Sequence, residues 1–426
     1  MRLGGRLAAA IEVLEDMERR HRPAADALKD WGLSHRFAGA GDRAAIGNIV
    51  YDALRRRRSA GWLLGTDAPR AFAFGGLMLE TGRSAPEINA ALDGDRFAPE
   101  PLSTDELAAI GSRDLAAAPA AVRGDVPDWC VPVLERAFGT DWVDEAKGLA
   151  ARPPLDLRAN TLLSSRDRVI AELSGATATD IAPHGIRIPP IEGDGRHPNV
   201  QVEPAFQKGW FEIQDEGSQI AAQLTGAAAG MQVLDLCAGA GGKTLALSAA
   251  MENKGQIFAH DSEKARLAPI FDRLKRAECR NVQVIANPPG LAELEGRMDL
   301  VLIDAPCTGS GTWRRRPDAK WRLTERQLEV RIAEQRSILD NAARYVKPGG
   351  SIAYVTCSVF PQENQDQVAA FLNRHRDFSA VEHAALWTGM FPAHAGKART
   401  GEHGVVLTPL RSGTDGFFFA SMRRAG

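Results

Sequence analysis

Apolar residues recur at three- and four-residue steps in the first part of the chain, at Leu7, Ile11, Leu14 and Met17 and, beyond the interruption at Pro23, at Ile46, Val50 and Leu54. This spacing lines one face of a helix and predicts helices over residues 6 to about 65, 71–92 and 104–121. Residues 1–145 are therefore expected to form an all-helical domain. The texture changes at Ala151-Arg152-Pro153-Pro154. Residues 155–158 alternate as a strand does, Ser165 is placed to cap a helix reaching residue 173, and strand-like pieces at 185–188 and 210–213 lie between loops rich in Pro, Gly and Asp. A helix over 217–224 and a small-residue break at 226–230 close this stretch, so 150–228 reads as a small α+β module. Beyond it strand-like and helical segments alternate, with strands expected at 232–236, 255–260, 282–286, 299–303 and 350–356. Such alternation builds a mainly parallel, doubly wound sheet, which makes 229–426 a Rossmann-like α/β domain and the whole chain multidomain.

Composition narrows the possible roles. A length of 426 residues with 44% apolar side chains supports two to four domains. Lys and Arg number 52 against 54 Asp and Glu, and the net charge of −2 excludes a chain that coats a polyanion by bulk charge. Cations must act locally, and they cluster in the run Arg55, Arg56, Arg57 and Arg58 and in the segment 314–322, offset by an acid-rich stretch over 80–145. No apolar run approaches the roughly 18 residues of a membrane span. The first residues lead into a helical pattern with Glu12, Glu15 and Asp16, so a cytoplasmic protein without membrane contact is expected. The five cysteines (Cys130, Cys237, Cys279, Cys307, Cys357) are odd in number and show no C-x-x-C or zinc-type His spacing, which points to free thiols rather than disulfides or a metal.

Chemistry-bearing residues gather in the last domain. The stretch VLDLCAGAGGKT, from Val233 to Thr244, reads as a buried strand, a glycine-rich turn and a helix start. Gly239, Gly241 and Gly242 let the backbone approach a ligand, and the helix start offers free N–H groups. Asp261 follows the next strand, about 20 residues on, where an acid accepts bonds from ribose hydroxyls. A dinucleotide or S-adenosylmethionine pocket is expected; the incomplete Walker spacing argues against a P-loop. Asp304 ends the strand of DLVLIDAPCTGSG, Pro306 fixes the chain so that Cys307 is displayed, and Cys357 ends the strand of SIAYVTCS. Crevices in open α/β sheets lie outside the carboxyl ends of the strands, so two thiols and a carboxylate should converge where the glycine loop points. That set suits methylation of carbon 5 of a pyrimidine: a thiolate adds to carbon 6, a carboxyl group donates to N3, and a base removes the carbon 5 proton. The residues alone leave open which thiol attacks. Between the cysteines, Trp313 and Trp321 interleave with Arg314, Arg315, Arg316, Lys320 and Arg322, a pattern suited to single-stranded RNA. A small-molecule methyl acceptor would need neither this segment nor the helical domain.

Together, CAGAGGKT, AHD, DAPCTGSG with WRRRPDAKWRLT, TCSVFPQEN and TDGFFFA resemble the RNA cytosine-5 methyltransferases of the Sun/RsmB family, over nearly the whole chain. The resemblance implies a class I methyltransferase domain with S-adenosylmethionine as cofactor. The implied reaction methylates carbon 5 of a cytidine in 16S ribosomal RNA through a covalent adduct at carbon 6, with transfer RNA, or a non-catalytic RNA-binding assembly role, as alternatives. It implies that Cys357 is the nucleophile, that Cys307 assists release and that Asp304 sits between cofactor and base. It further implies that Cys237, Ala238, Gly239, Ala240, Gly241, Gly242 and Lys243 cradle the cofactor and that Asp261 holds its ribose. The segment Gln214-Asp-Glu-Gly-Ser218 is similar to the family's lead-in to the catalytic domain, and 150–228 loosely matches its RNA-recognition-like insert. Residues 1–145 resemble the helical RNA-binding domain of the antitermination factor NusB. Arg55, Arg56, Arg57 and Arg58, with Arg314, Arg315, Lys320, Trp321 and Arg322, are accordingly expected to contact RNA, and a monomer is expected. Two positions depart from the family: Gly239-Ala240 stand where most members have Ala-Pro, and Asn287 stands where an aspartate usually faces the adenine.

Overall fold

The computed structural model describes residues 1–193, 195–286 and 289–426. The chain forms two compact units, one of residues 1–153, 191–197 and 313–323, the other of 154–190, 198–312 and 324–426. No helix among the described residues is long and apolar enough to cross a membrane.

The first unit is helical. Its helices α1 (Leu3–Arg20), α2 (Ala24–Ser34), α3 (Ala40–Arg55), α4 (Arg57–Leu64) and α5 (Pro69–Thr81) are followed by shorter ones ending with Trp142–Ala150, a little beyond the expected boundary at 145. The apolar stripe does what its spacing requires, because Leu7, Leu14, Ile46, Val50 and Leu54 join Phe72 and Phe74 in one core at 4% exposure or less. Two glycines let α5 lie tightly on its neighbours: a Cβ at Gly75 would stand 2.6 Å from Ala60, and one at Gly76 2.8 Å from the Ala53 backbone. Later helices start on capping boxes, Ser84 with Glu87 and Ser103 with Glu106. Residues 313–323, expected from sequence as an RNA-facing segment beside Cys307, pack in this unit and contain the short helix Pro317–Arg322.

The second unit holds two sheets. β1 (Leu155–Ala159), β2 (Thr177–Ala178), β3 (Gly185–Ile188) and β4 (Phe211–Ile213) pair antiparallel in the order β2-β3-β1-β4. The helix Arg166–Glu172 starts as expected, with Ser165 Oγ accepting from the Arg168 N–H at 3.2 Å. The small module shares one compact unit with the larger sheet rather than standing alone. Helix Glu216–Leu224 links them, burying Ile220, Ala221 and Leu224 against Val233, Ile257 and Leu302.

The larger sheet runs β11 (Arg399–Gly401), β12 (Gly404–Leu407), β13 (Phe417–Arg424), β9 (Val346–Thr356), β8 (Met298–Asp304), β5 (Gln232–Asp235), β6 (Gln256–Ala259), β7 (Val282–Val284), with β10 (Phe378–Ala380) on β13. From β9 to β7 all pairings are parallel, as expected, and the order reverses between β5 and β8. The antiparallel flank formed by β10 to β13 was not among the expected strands. β13 pairs with β9 from Thr356↔Phe418 to Ser351↔Arg423, so the FFFA run is the inner neighbour of the strand that carries Cys357.

One close approach ties this flank to the end of β9. The Gly311 N–H donates to the Cys357 carbonyl at 3.0 Å and the Gly416 N–H donates to the Gly311 carbonyl at 2.8 Å. A Cβ on Gly311 would stand 2.1 Å from the Gly416 oxygen. Gly311→Ala should therefore lower unfolding stability by about 3 kcal/mol, read as a lower urea midpoint at constant slope. Gly389→Ala is the control, since a Cβ there meets nothing within 4 Å.

Candidate active site

At the end of β5 the chain turns through Gly239 (φ +50°) and Gly241 (φ +84°) into the helix Gly242–Ala250. A side chain at Gly241 would need a left-handed backbone and would place its Cβ 2.5 Å from Ile270. Asp261, 3% exposed, accepts from the Gly239 N–H at 2.9 Å and from the Glu263 N–H at 2.9 Å, so its carboxylate staples the glycine loop to the next turn. The loop is also held from behind by groups the sequence did not single out. Arg158 Nη1 donates to the Gly242 carbonyl at 3.1 Å, and Arg273 Nη1 donates to the Ala240 carbonyl at 2.8 Å while pairing with Glu212 at 2.9 Å. Burial lowers the Arg158 guanidinium to about 10. Burial also pushes the Cys237 thiol far up, so Cys237 lines the cradle as a neutral thiol. Asn287, expected toward the adenine, lies outside the described residues.

Beside this cradle the register of β8 on β9, Asp304 opposite Val355, brings the two cysteine-bearing turns to the same end of the sheet. The Ala305 N–H donates to the Val355 carbonyl at 2.8 Å. Cys307 Sγ and Cys357 Sγ stand 3.4 Å apart. The Cys307 thiol is raised well above the usual range, first by its hydrogen bond with Cys357 and then by burial. The two sulfurs therefore share a hydrogen bond in which either can be the donor, with Cys307 held toward its protonated form. Asp304 Oδ2 lies 2.8 Å from Lys243 Nζ; the lysine is 5% exposed and the carboxylate 38%, so a buried cation fixes a carboxylate that opens to the crevice. The structure thus brings together Cys307, Cys357, Asp304 and Lys243. A further carboxylate, Glu363, lies buried beneath both cysteine turns. Its segment, TCSVFPQEN, carried the family resemblance, but a glutamate in a polar turn gives no periodic signal of burial. Cys130 is fully buried in the helical unit.

Asp235 shows the cost of this architecture. It is 1% exposed; Oδ2 accepts from Thr244 Oγ1 at 2.7 Å, and Oδ1 is buried without a partner among the described residues. Burial pushes its carboxyl up to about 7. The unfolded chain then holds fewer protons than the folded one between about pH 4 and about pH 7, so stability falls as pH rises through that window. Asp235→Asn removes this slope. Its unfolding free energy relative to the parent should improve by a few kcal/mol from about pH 4 to about pH 8, measured by urea titration.

The cations expected to meet RNA differ in exposure: Arg55, Arg314 and Lys320 are buried, Arg56, Arg57, Arg58 and Arg315 half-buried and Arg322 exposed. Arg55 is 7% exposed and donates to Asp52 at 3.2 Å and to the Arg314 carbonyl at 2.9 Å. Arg56 pairs with Glu80, Arg57 with Glu18 and Arg58 with Asp128, at 2.6, 2.8 and 2.8 Å. Trp321 Nε1 donates to the Leu54 carbonyl at 2.7 Å, and its ring lies under Arg57 and Lys320. Arg314 is 4% and Lys320 1% exposed, and burial lowers the Lys320 ammonium to about 8. Arg315 is half-buried, and Arg322, which is exposed, pairs with Asp318 at 3.0 Å. Arg55, Arg314, Lys320 and Trp321 brace the helical unit. Lys320→Met should leave RNA affinity and its salt slope unchanged in a filter-binding titration; a slope smaller by about one would make Lys320 a phosphate contact after all.

Residues 223–423 match the family model described as 16S rRNA methyltransferase RsmB/F. The chain is 34% identical over 301 residues to the ribosomal RNA small subunit methyltransferase B of Erwinia tasmaniensis, covering 70% of this chain and 66% of that protein, slightly under two thirds. It is 30% identical over 311 residues to the probable ribosomal RNA small subunit methyltransferase B of Synechocystis sp., covering 70% of this chain and 67% of that one. Among solved structures, a methyltransferase homolog protein from Pyrococcus horikoshii matches with a TM-score of 0.58 and 25% identity over 72% of this chain and 97% of its own. The matched stretch contains the glycine cradle, Asp304 and both thiols, and on these similarities the chain belongs to the RsmB/F family of 16S rRNA methyltransferases.

Proposed function

We propose that this chain methylates carbon 5 of a cytidine in small-subunit ribosomal RNA, with S-adenosylmethionine as donor. The observation that carries the reading is the pair of sulfurs 3.4 Å apart beside a lysine-held carboxylate at the mouth of the glycine cradle. When bound, the cofactor supplies an electrophilic methyl group. The loop Cys237 to Lys243 and Asp261 would hold it: a Cβ built on Gly239 meets nothing closer than 3.6 Å, and the N–H groups of helix Gly242–Ala250 suit a carboxylate.

The protein groups divide the remaining work. The Cys357 thiol gives its proton to the Asp304 carboxylate and, as a thiolate accepting a hydrogen bond from Cys307, bonds to carbon 6 of the base. Electron density passes to N3, which takes up that proton from Asp304, and carbon 5 becomes nucleophilic. Once bonded to carbon, the Cys357 sulfur is a thioether and a poor acceptor, so the contact that held the Cys307 proton is lost. Cys307 then releases that proton to solvent and, as a thiolate, takes the carbon 5 proton while the carbon 6–sulfur electron pair returns to Cys357 and the N3 proton returns through Asp304 to the Cys357 sulfur. The helical unit, which resembles NusB in sequence, and the small module would position the RNA.

Cys357→Ala should abolish methyl transfer, by more than about a thousandfold, whereas Cys307→Ala should accumulate a protein–RNA adduct that survives a denaturing gel. Bisulfite sequencing of total RNA from a strain lacking the chain names the cytidine. A Cys357→Ala protein with normal activity would sink the assignment, and a lost signal in transfer RNA alone would move the substrate.

A further inference from the structure

The turn Pro361–Glu363 places one carboxylate under both cysteines. Glu363 is 0% exposed and pairs with no Lys, Arg or His among the described residues. Desolvating a lone carboxylate is expensive unless several donors bind it, and here four do. Oε1 accepts from the Thr308 N–H at 2.8 Å and from Gln335 Nε2 at 3.0 Å, and Oε2 accepts from the Thr308 hydroxyl at 2.5 Å and from the Ser358 hydroxyl. Gln335 Nε2 also donates to the Pro306 carbonyl at 2.9 Å, and the Tyr354 hydroxyl donates to the Glu363 backbone carbonyl at 2.7 Å. Thr308 and Ser358 are the residues that follow Cys307 and Cys357. The clamp is lopsided, with two bonds to the residue after Cys307 and one to the residue after Cys357.

We propose that Glu363 is a positioning residue that makes the two thiols unequal: it fixes the turns that carry them and sets its negative charge on the Cys307 side, so that the shared proton rests on Cys307 and the Cys357 sulfur is free to attack. The charge of Glu363 is among the causes that raise the Cys307 thiol, after the Cys357 hydrogen bond, burial and the Cys357 charge. The other ionisable groups around this pair are the buried Tyr354 phenol and, at the mouth, Asp304 with Lys243. A glutamine here has nearly the same shape and no charge, which separates the electrostatic role from the packing one. The inference rests on the reading of Cys357 as the attacking thiol.

The test is Glu363→Gln in the full chain, with three readouts. Its unfolding midpoint and its affinity for S-adenosylmethionine by calorimetry should match the parent. With RNA substrate, kcat should fall about a hundredfold, the loss a misplaced nucleophile brings, while KM for RNA stays within about twofold. Iodoacetamide labelling mapped by peptide mass should show the pH midpoint for Cys307 lowered by about one unit, the shift expected when a nearby like charge is removed. A folded variant with parental kcat, or with an unmoved Cys307 profile, overturns the proposal. Should Glu363→Gln fail to fold, Thr308→Val removes the hydroxyl bond alone; it should lower kcat about tenfold at constant KM, and parental kcat overturns the proposal equally. Labelling needs no RNA, so an inactive parent chain with a shifted Cys307 profile would remove the proposed function and leave the inequality of the thiols standing.

Discussion

The parallel pairing of β8 with β9, residue for residue from Leu300↔Ser351 to Asp304↔Val355, is the constraint on which the site depends. Side chains alternate along a strand, so a slip of one residue would turn Asp304 and the approach to Cys357 to the opposite face. The register is held from both flanks. β5 pairs with β8 on one side, and β13 pairs with β9 on the other, through a run of buried phenylalanines. Beyond the strand ends the Gly311 and Gly416 backbones close on each other, and only two residues without Cβ atoms permit that approach. The sulfur separation of 3.4 Å, between cysteines 50 residues apart in sequence, is the end product of these pairings.

Much of this was legible in the chain because it is locally encoded. The parallel strands are short apolar runs bounded by glycine turns, and the helical stripe survives as a core at Leu7, Leu14, Ile46, Val50 and Leu54. What sequence could not convey is which polar groups meet. In the run Arg55 to Arg58 the sequence does not show which acids meet the arginines, which are Asp52, Glu80, Glu18 and Asp128 in turn. Asp52 lies one turn back on the same helix as Arg55, whereas Glu80, Glu18 and Asp128 follow no period and lie elsewhere in the unit. The antiparallel flank was missed for a related reason, since a phenylalanine run marks burial but not pairing direction. Arg158 and Glu212 sit on strands of the small module, and nothing in their neighbourhood announces that they brace the cofactor loop.

The near-neutral net charge of −2 acquires a physical meaning from these pairings. In the helical unit the arginine run is matched side chain by side chain to acids, so the unit's charge is largely internal. The buried pair of Arg55 with Asp52 is costly to desolvate and specific in geometry, and through the Arg55 bond to the Arg314 carbonyl it fixes how the 313–323 segment lies on α3. Lys320 is held at 1% exposure over the rings of Trp313 and Trp321 instead of against an acid.

In the second unit the same economy of charge takes another form, with carboxylates bound by backbone N–H groups. Glu216 accepts from the Ile181 and Ala182 N–H groups at 2.8 and 2.9 Å, tying a loop of the small module to helix Glu216–Leu224. Asp215 accepts from the Gly217 N–H at 2.7 Å and from the Asp415 N–H at 3.1 Å, joining the start of that helix to the TDG turn before β13. Asp261 does the same for the glycine loop, and Glu363 for Thr308 beside Cys307. A charged acceptor forms stronger bonds than a neutral one, about 1.5–3 kcal/mol each, and an N–H donor cannot rotate away as a hydroxyl can. A loop held in this way has one conformation rather than several. All four acids fall in motifs that sequence brought forward for other reasons, Asp215 and Glu216 in QDEGS, Asp261 in AHD and Glu363 in QEN. The acids of these motifs therefore serve the chemistry at one remove: they immobilise the turns from which the sulfurs, the lysine-held carboxylate and the glycine cradle face a common point.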